Sequence, residues 1–240
     1  MKDIDSILSD TEHRPFDFPV GKWTYYQEWN NALFLHWKVP FDALRKLVPG
    51  ELNLDTFEGN VYVSLVAFTM QKIRPRSLPA IKFISEFAGI NVRTYINNDN
   101  KKGVYFLSIE AEKQLSAFVA RVLSGLPYEK SKIQRGSNKY RSINAKRNFH
   151  LDAEFEVKEQ ATKKKELDNW LTERYCLYLE KNSIIYRYDI HHREWGIKKV
   201  DMQRLDLGYR IGDISLTNSP DLMHYSEGVE VVAWKSKKIY

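Results

Sequence analysis

The segment Val61 to Met70, VYVSLVAFTM, constrains this chain most. Its three valines and its aromatic residues fall on both alternating faces, so as a strand it must be covered on both sides. A strand of that kind belongs in the middle of a sheet that packs in two directions. The longest apolar run, Val61 to Phe68, includes Ser64 and is far too short to cross a bilayer as a helix.

The segments around it supply strands with distinct faces. In ALFLHWKV, Leu33, Leu35, Trp37 and Val39 alternate with Phe34, His36 and Lys38, which predicts one apolar and one mixed face and turns His36 away from Leu35 and Trp37. INVRTYI puts Asn91, Arg93 and Tyr95 on one face and Val92, Thr94 and Ile96 on the other, and NNDNKKG turns that strand into VYFLSIEA. FHLDAEFEV alternates with Phe149, Leu151, Ala153, Phe155 and Val157 inward, and Lys181-Asn182-Ser183 is the turn of a further hairpin. VEVVAW, Val229 to Trp234, is the last predicted strand.

Helical signals are fewer: a short N-terminal helix within Asp3 to Glu12, PFDALRKLVPG, a periodic stretch from Leu115 to Leu123, and ELDNWLTERY. Roughly ten strands joined by turns predict a mainly β (α+β), mostly antiparallel fold. With 43% hydrophobic residues in 240 and no linker, the chain reads as a single domain, 1–240, with an N-terminal helical arm over about 1–20.

Charge and cysteine usage narrow the class. Seven of the basic residues lie between Lys130 and Arg147 with no acid among them, so the net charge of +6 is local and the rest of the chain is near neutral. Such a hairpin serves a phosphate or nucleic-acid surface when stacking aromatics accompany it, and here only Tyr140 is interleaved. The acidic start MKDIDSILSD is unlike a secretory signal, and one cysteine, Cys176, excludes an intrachain disulfide, so a soluble, cytoplasmic protein without membrane contact is expected.

Few residues carry recognisable chemistry. His191 and His192 point to opposite faces of a strand and have no CxxC, HxH or HExxH beside them, so no metal site is expected. There is no GxSxG to license a triad from Ser64, His36 and Asp55, and no glycine-rich phosphate loop, so no cofactor is expected either. In GLPYEKSKI, Tyr128, Lys130 and Lys132 share one face, and a lysine there is a nucleophile only if burial or a nearby cation lowers its pKa.

Taken in order, LFLHWKVP, LVPGELNLDTFEGNVYVSLVAF, RPR, NVRTY, GVYFLS, LPY and LTERYCLY resemble the YqjF-like family of uncharacterised bacterial proteins, over about Trp29 to His192. That family is similar in fold to acetoacetate decarboxylase. The resemblance implies an antiparallel, cone-shaped β-barrel with a few peripheral helices and an internal cavity. In acetoacetate decarboxylase adjacent lysines follow a glycine-aromatic-proline corner and one forms a Schiff base, activated by its cationic neighbour. Here Tyr128 and Glu129 follow Pro127, Lys130 arrives one residue late, and Gly89 stands where the decarboxylase pattern expects an acid. A one-residue shift turns a strand side chain to the opposite face.

The resemblance therefore frames a cavity without that lysine. If the Asn91-Arg93-Tyr95 face points inward, Arg93 is a fixed cation suited to a carboxylate or a polarised carbonyl, with Tyr95, Tyr128, His36 and Asn91 around it and Arg174 as a second cation. The expected partner is a small molecule; the alternatives are phosphate or nucleic-acid binding by residues 130–147, or a structural module with no ligand.

Overall fold

The computed structural model describes residues 4–112, 129–160, 163–217 and 219–240. In chain order the strands are β1 (Tyr25–Val39), β2 (Val61–Pro75), β3 (Phe87–Asn98), β4 (Lys101–Ala111), β5 (Glu129–Lys130), β6 (Lys132–Arg135), β7 (Lys139–Asn144), β8 (Phe149–Gln160), β9 (Cys176–Lys181), β10 (Ile184–His192), β11 (Ile197–Ile211), β12 (Ile214–Leu216), β13 (Leu222–Ala233) and β14 (Lys237–Lys238). The helices are short: α1 (Ile4–Ser9), α2 (Phe41–Arg45), α3 (Lys82–Ser85) and α4 (Glu166–Thr172). The fold is thus mostly β. The helix expected over Leu115 to Leu123, and Tyr128, lie outside the described residues. Among the described residues no helix is long and apolar enough to cross a membrane.

Strand pairing runs β10-β9-β4-β3-β2-β1-β13, and β13 pairs back onto β10, so these strands close a ring. All of its pairings are antiparallel except β4–β9, which is parallel. From β13 the sheet continues through β11, β8, β7 and β6, so β1 to β3 are covered on both faces. One face builds the core inside the ring, with Phe34, Val66, Tyr95 and Ile190; the other packs Leu33, Leu35, Val63, Leu65, Ile90 and Val92 against Phe149, Leu151, Phe155 and Tyr209. This is why VYVSLVAFTM is apolar in both directions: Val61 to Phe68 are buried without exception.

Three irregularities keep the ring interior continuous. The period of two would carry Tyr25, Gln27 and Trp29 to one side and Ala32 and Phe34 to the other, but the β1–β2 register shifts between Asn30 and Leu33, where Asn31 takes φ 52°, and all five face the ring. In β2, Lys72 at φ 51° brings Ile73 round beside Met70 and Phe68. In β4 a shift against β3 does the same for Phe106 and Ile109. The turn at Asp99 and Asn100 and that at Asn182 and Ser183 use left-handed backbone, as expected from their sequences.

Candidate functional site

A cavity lies inside the ring, and every strand of the ring contributes to its wall. Its wall is mainly apolar and aromatic, including Trp29, Phe34, Phe68, Phe106 and Trp195, with Asn91 and Arg93 of β3 among the polar members. The cavity volume is about 80 Å³. One water needs roughly 10–15 Å³ on that measure, so the cavity suits a molecule of a few heavy atoms.

The polar stripe read from INVRTYI thus faces the ring. Asn91 and Arg93 are buried, and the Arg93 guanidinium lies 5.6 Å from the Phe34 ring and 5.9 Å from the Tyr95 ring. One Arg93 Nη donates to the Leu171 carbonyl at 3.3 Å. Arg93 Nε, Asn91 Oδ1 and Trp29 Nε1 have no hydrogen-bond partner among the described residues, although all three belong to residues of the cavity wall. Orphaned polar atoms in an apolar enclosure are costly, and a bound polar molecule is one way to satisfy them.

Beneath this wall lies a second layer. His36 Nδ1 is 2.6 Å from Ser64 Oγ, Ser64 Oγ is 2.5 Å from Tyr95 Oη, and His36 Nε2 is 3.2 Å from His224 Nδ1. His224 Nε2 is 3.0 Å from Asp168 Oδ1 on α4. Burial pushes the His36 imidazole well below its ordinary pKa, helped by His224 and by the Arg93 charge. Burial also lowers His224, against the pull of Asp168. Register places the layer: Ser64 is directly opposite His36 on one side and Arg93 on the other, while Phe34 pairs with His224.

His36 and Tyr95, expected around Arg93, both meet Ser64. Arg174 lies lower still. It donates to Asp55 at 2.5 Å and stacks over Trp170 and Tyr95, with burial lowering its pKa against the Asp55 charge. It closes the ring floor together with α4. Asp55, no triad member, is its partner. Sequence reasoning missed His224 and Asp168. His224 alternates with Tyr225 as His36 does with Leu35, but only the β1–β13 pairing joins the two histidines.

The lysines after the Leu-Pro corner are elsewhere. Lys130 and Lys132 are exposed, while Ser131 and Ile133 between and after them turn inward. Ser131 donates its hydroxyl to Glu110, whose carboxyl burial pushes up. In front of Gly89 stands Phe68, so that an added Cβ would lie 3.2 Å from the Phe68 ring. The basic hairpin is largely matched by acids: Lys139 with Glu154, Arg141 with Asp152, and Lys146 and Arg147 with Glu129. His191 and His192 bond the carbonyls of Ile7 and Arg193.

Comparison with known proteins places this geometry. A family model described as an uncharacterized conserved protein, DUF2071, matches residues 26–230. The uncharacterized protein YqjF of Bacillus subtilis is 32% identical over 240 residues, covering 95% of this chain and 97% of that protein. Among solved structures, an acetoacetate decarboxylase-like enzyme from Sphingomonas wittichii aligns with a TM-score of 0.61 at 12% identity, covering 94% of this chain and 97% of its own. The enduracididine biosynthesis enzyme MppR complexed with pyruvate aligns at 0.58 and 9% identity, covering 94% and 93%. At such identities the likeness is one of fold.

Proposed function

Because the chain belongs to the DUF2071 family of uncharacterized conserved proteins, we propose that it binds a small anionic or carbonyl-bearing molecule in the ring cavity, without a Schiff-base lysine. The ring is read as the cone-shaped barrel of the acetoacetate decarboxylase-like enzymes, and Asn91 and Arg93 as its ligand contacts. Tyr95, His36 and Arg174 support them from beneath, and Tyr128 stays a candidate from the sequence alone. The single observation that carries the reading is the Arg93 side chain: a buried cation on the wall of an apolar enclosure, with Nε unpartnered among the described residues.

A guanidinium there is worth far more to a carboxylate or polarised carbonyl than one in water, because little solvent competes. The cavity size favours a short oxo acid, and MppR, of like fold, is described with pyruvate. The exposure of Lys130 leaves the reading noncovalent. A buried free thiol, Cys176, suits the reducing cytoplasm in which we place the protein.

The test is calorimetric titration of short 2-oxo acids and their monocarboxylate analogues into wild type and Arg93→Met. Loss of a charge-assisted hydrogen bond of about 1.5–3 kcal/mol predicts roughly 10- to 150-fold weaker binding in the variant. Equal affinity in a folded variant removes Arg93 from the site.

A further inference from the structure

We infer that Tyr95, Ser64, His36, His224 and Asp168 form a proton relay of fixed direction, giving the ring cavity acid–base chemistry at the carbon beside a ligand carbonyl. The inference rests on the cavity being a carbonyl-ligand site and adds a reaction to it. Every link is within hydrogen-bond distance, and the five groups come from β3, β2, β1, β13 and α4.

Elementary donor–acceptor accounting sets the direction. Asp168 as a carboxylate only accepts: Oδ2 takes the Lys165 backbone N–H at 2.8 Å, and Oδ1 takes His224 Nε2–H. A neutral His224 then accepts at Nδ1, so His36 donates through Nε2–H. His36 in turn accepts at Nδ1 from the Ser64 hydroxyl, and Ser64 oxygen accepts from the Tyr95 hydroxyl. Neutral imidazoles are what burial enforces on both, with the Arg93 charge adding to the effect at His36 and the Lys164 charge at His224. Arg174 and Arg93 flank the Tyr95 ring at 4.8 and 5.9 Å.

The relay starts one row from the cavity wall. Ser64 is the direct cross-strand partner of Arg93, and Tyr95 is the next residue of β3 on the same face. With a ligand carbonyl held by Arg93, a proton leaves the adjacent carbon for the Tyr95 oxygen. The Tyr95 proton passes to Ser64, the Ser64 proton to His36 Nδ1, and the His36 Nε2 proton to His224 Nδ1. The electrons of the C–H bond become the enolate, its oxygen facing Arg93, and the positive charge arrives on His224 beside Asp168. When a relay proton exchanges with solvent before reversal, a solvent-derived proton returns to carbon, so the net reaction is isotope exchange with water and no other reactant is consumed.

Two measurements test this on the intact chain. Nitrogen-15 spectra of the imidazoles without ligand are expected to show the proton on Nε2 in both His36 and His224. In Asp168→Asn an amide cannot accept from both Lys165 N–H and His224 N–H; its oxygen serves Lys165, its NH₂ turns to His224, and both tautomers move to Nδ1. Proton NMR of pyruvate in D₂O then follows loss of the methyl signal. Wild type is expected to catalyse it, while His224→Phe and Asp168→Asn retain calorimetric pyruvate binding but exchange about 10²-fold more slowly or worse. Bound pyruvate that exchanges no faster than in buffer, or an Nδ1–H tautomer in either wild-type histidine, overturns the relay. Absence of pyruvate binding overturns the ligand reading and the exchange chemistry with it.

Discussion

Ser64 and Arg93 are direct cross-strand partners in the β2–β3 ladder, so the hydroxyl bonded to His36 and the cation on the cavity wall share one face and one row. Directly opposed residues keep their Cβ atoms about 4.5–5.5 Å apart. The wall of the cavity and the buried polar layer beneath it are therefore one construction. Changes to the floor should be felt in stability, and changes to the wall in binding.

Arg174 and Asp55 test the floor. Removing the guanidinium in Arg174→Ala leaves Asp55 buried without its 2.5 Å partner, which is expected to cost about 3–5 kcal/mol. The check is chemical denaturation, and a loss under about 1 kcal/mol would place the pair among weak surface bridges.

Buried histidines set the acid limit. His36, His191, His192 and His224 are all depressed by burial, His191 to about 4. The folded protein thus binds fewer protons than the unfolded chain below an ordinary histidine pKa of about 6.5. Their contribution is fully present above that value and is lost as pH falls through the folded values. Stability measured by denaturant titration should fall from about pH 6.5 toward 4, by up to about 1.4 kcal/mol per pH unit for each histidine. A flat profile there would contradict their neutral burial.

Gly103 guards the closure of the ring. A Cβ there would lie 2.7–2.8 Å from the Cys176 Cβ and carbonyl carbon, where β4 meets β9 in the parallel pair. Gly103→Ala should force the strands apart and cost about 1–3 kcal/mol or more, seen as faster amide exchange at Val104 and Leu177. Unchanged exchange would mean the strands give way without cost.

Much of this fold was legible in the chain. Alternation in ALFLHWKV and INVRTYI assigned each face correctly, and the glycine-poor turn NNDNKKG was readable from its asparagines. What alternation could not show were bulges. They bring Trp29 and Phe34 to one face despite odd spacing, and a shift between Met202 and Arg204 breaks the pattern of β11, the long strand that sequence reading passed over. The ring is likewise built from partners distant in sequence, such as β1 with β13. Arg93, Asn91, His36 and Tyr95 were visible as a polar stripe and a turned histidine, whereas His224 and Asp168 acquire meaning only through those pairings.

The most direct measurement is the Trp29 indole N–H resonance during titration with pyruvate. Trp29 lines the cavity and its Nε1 is unpartnered among the described residues, so a ligand in the ring sits against it. The account predicts a saturable shift of that signal in wild type, absent over the same concentrations in Arg93→Met. Saturable binding that leaves the Trp29 signal unmoved would put the ligand outside the ring and contradict the account.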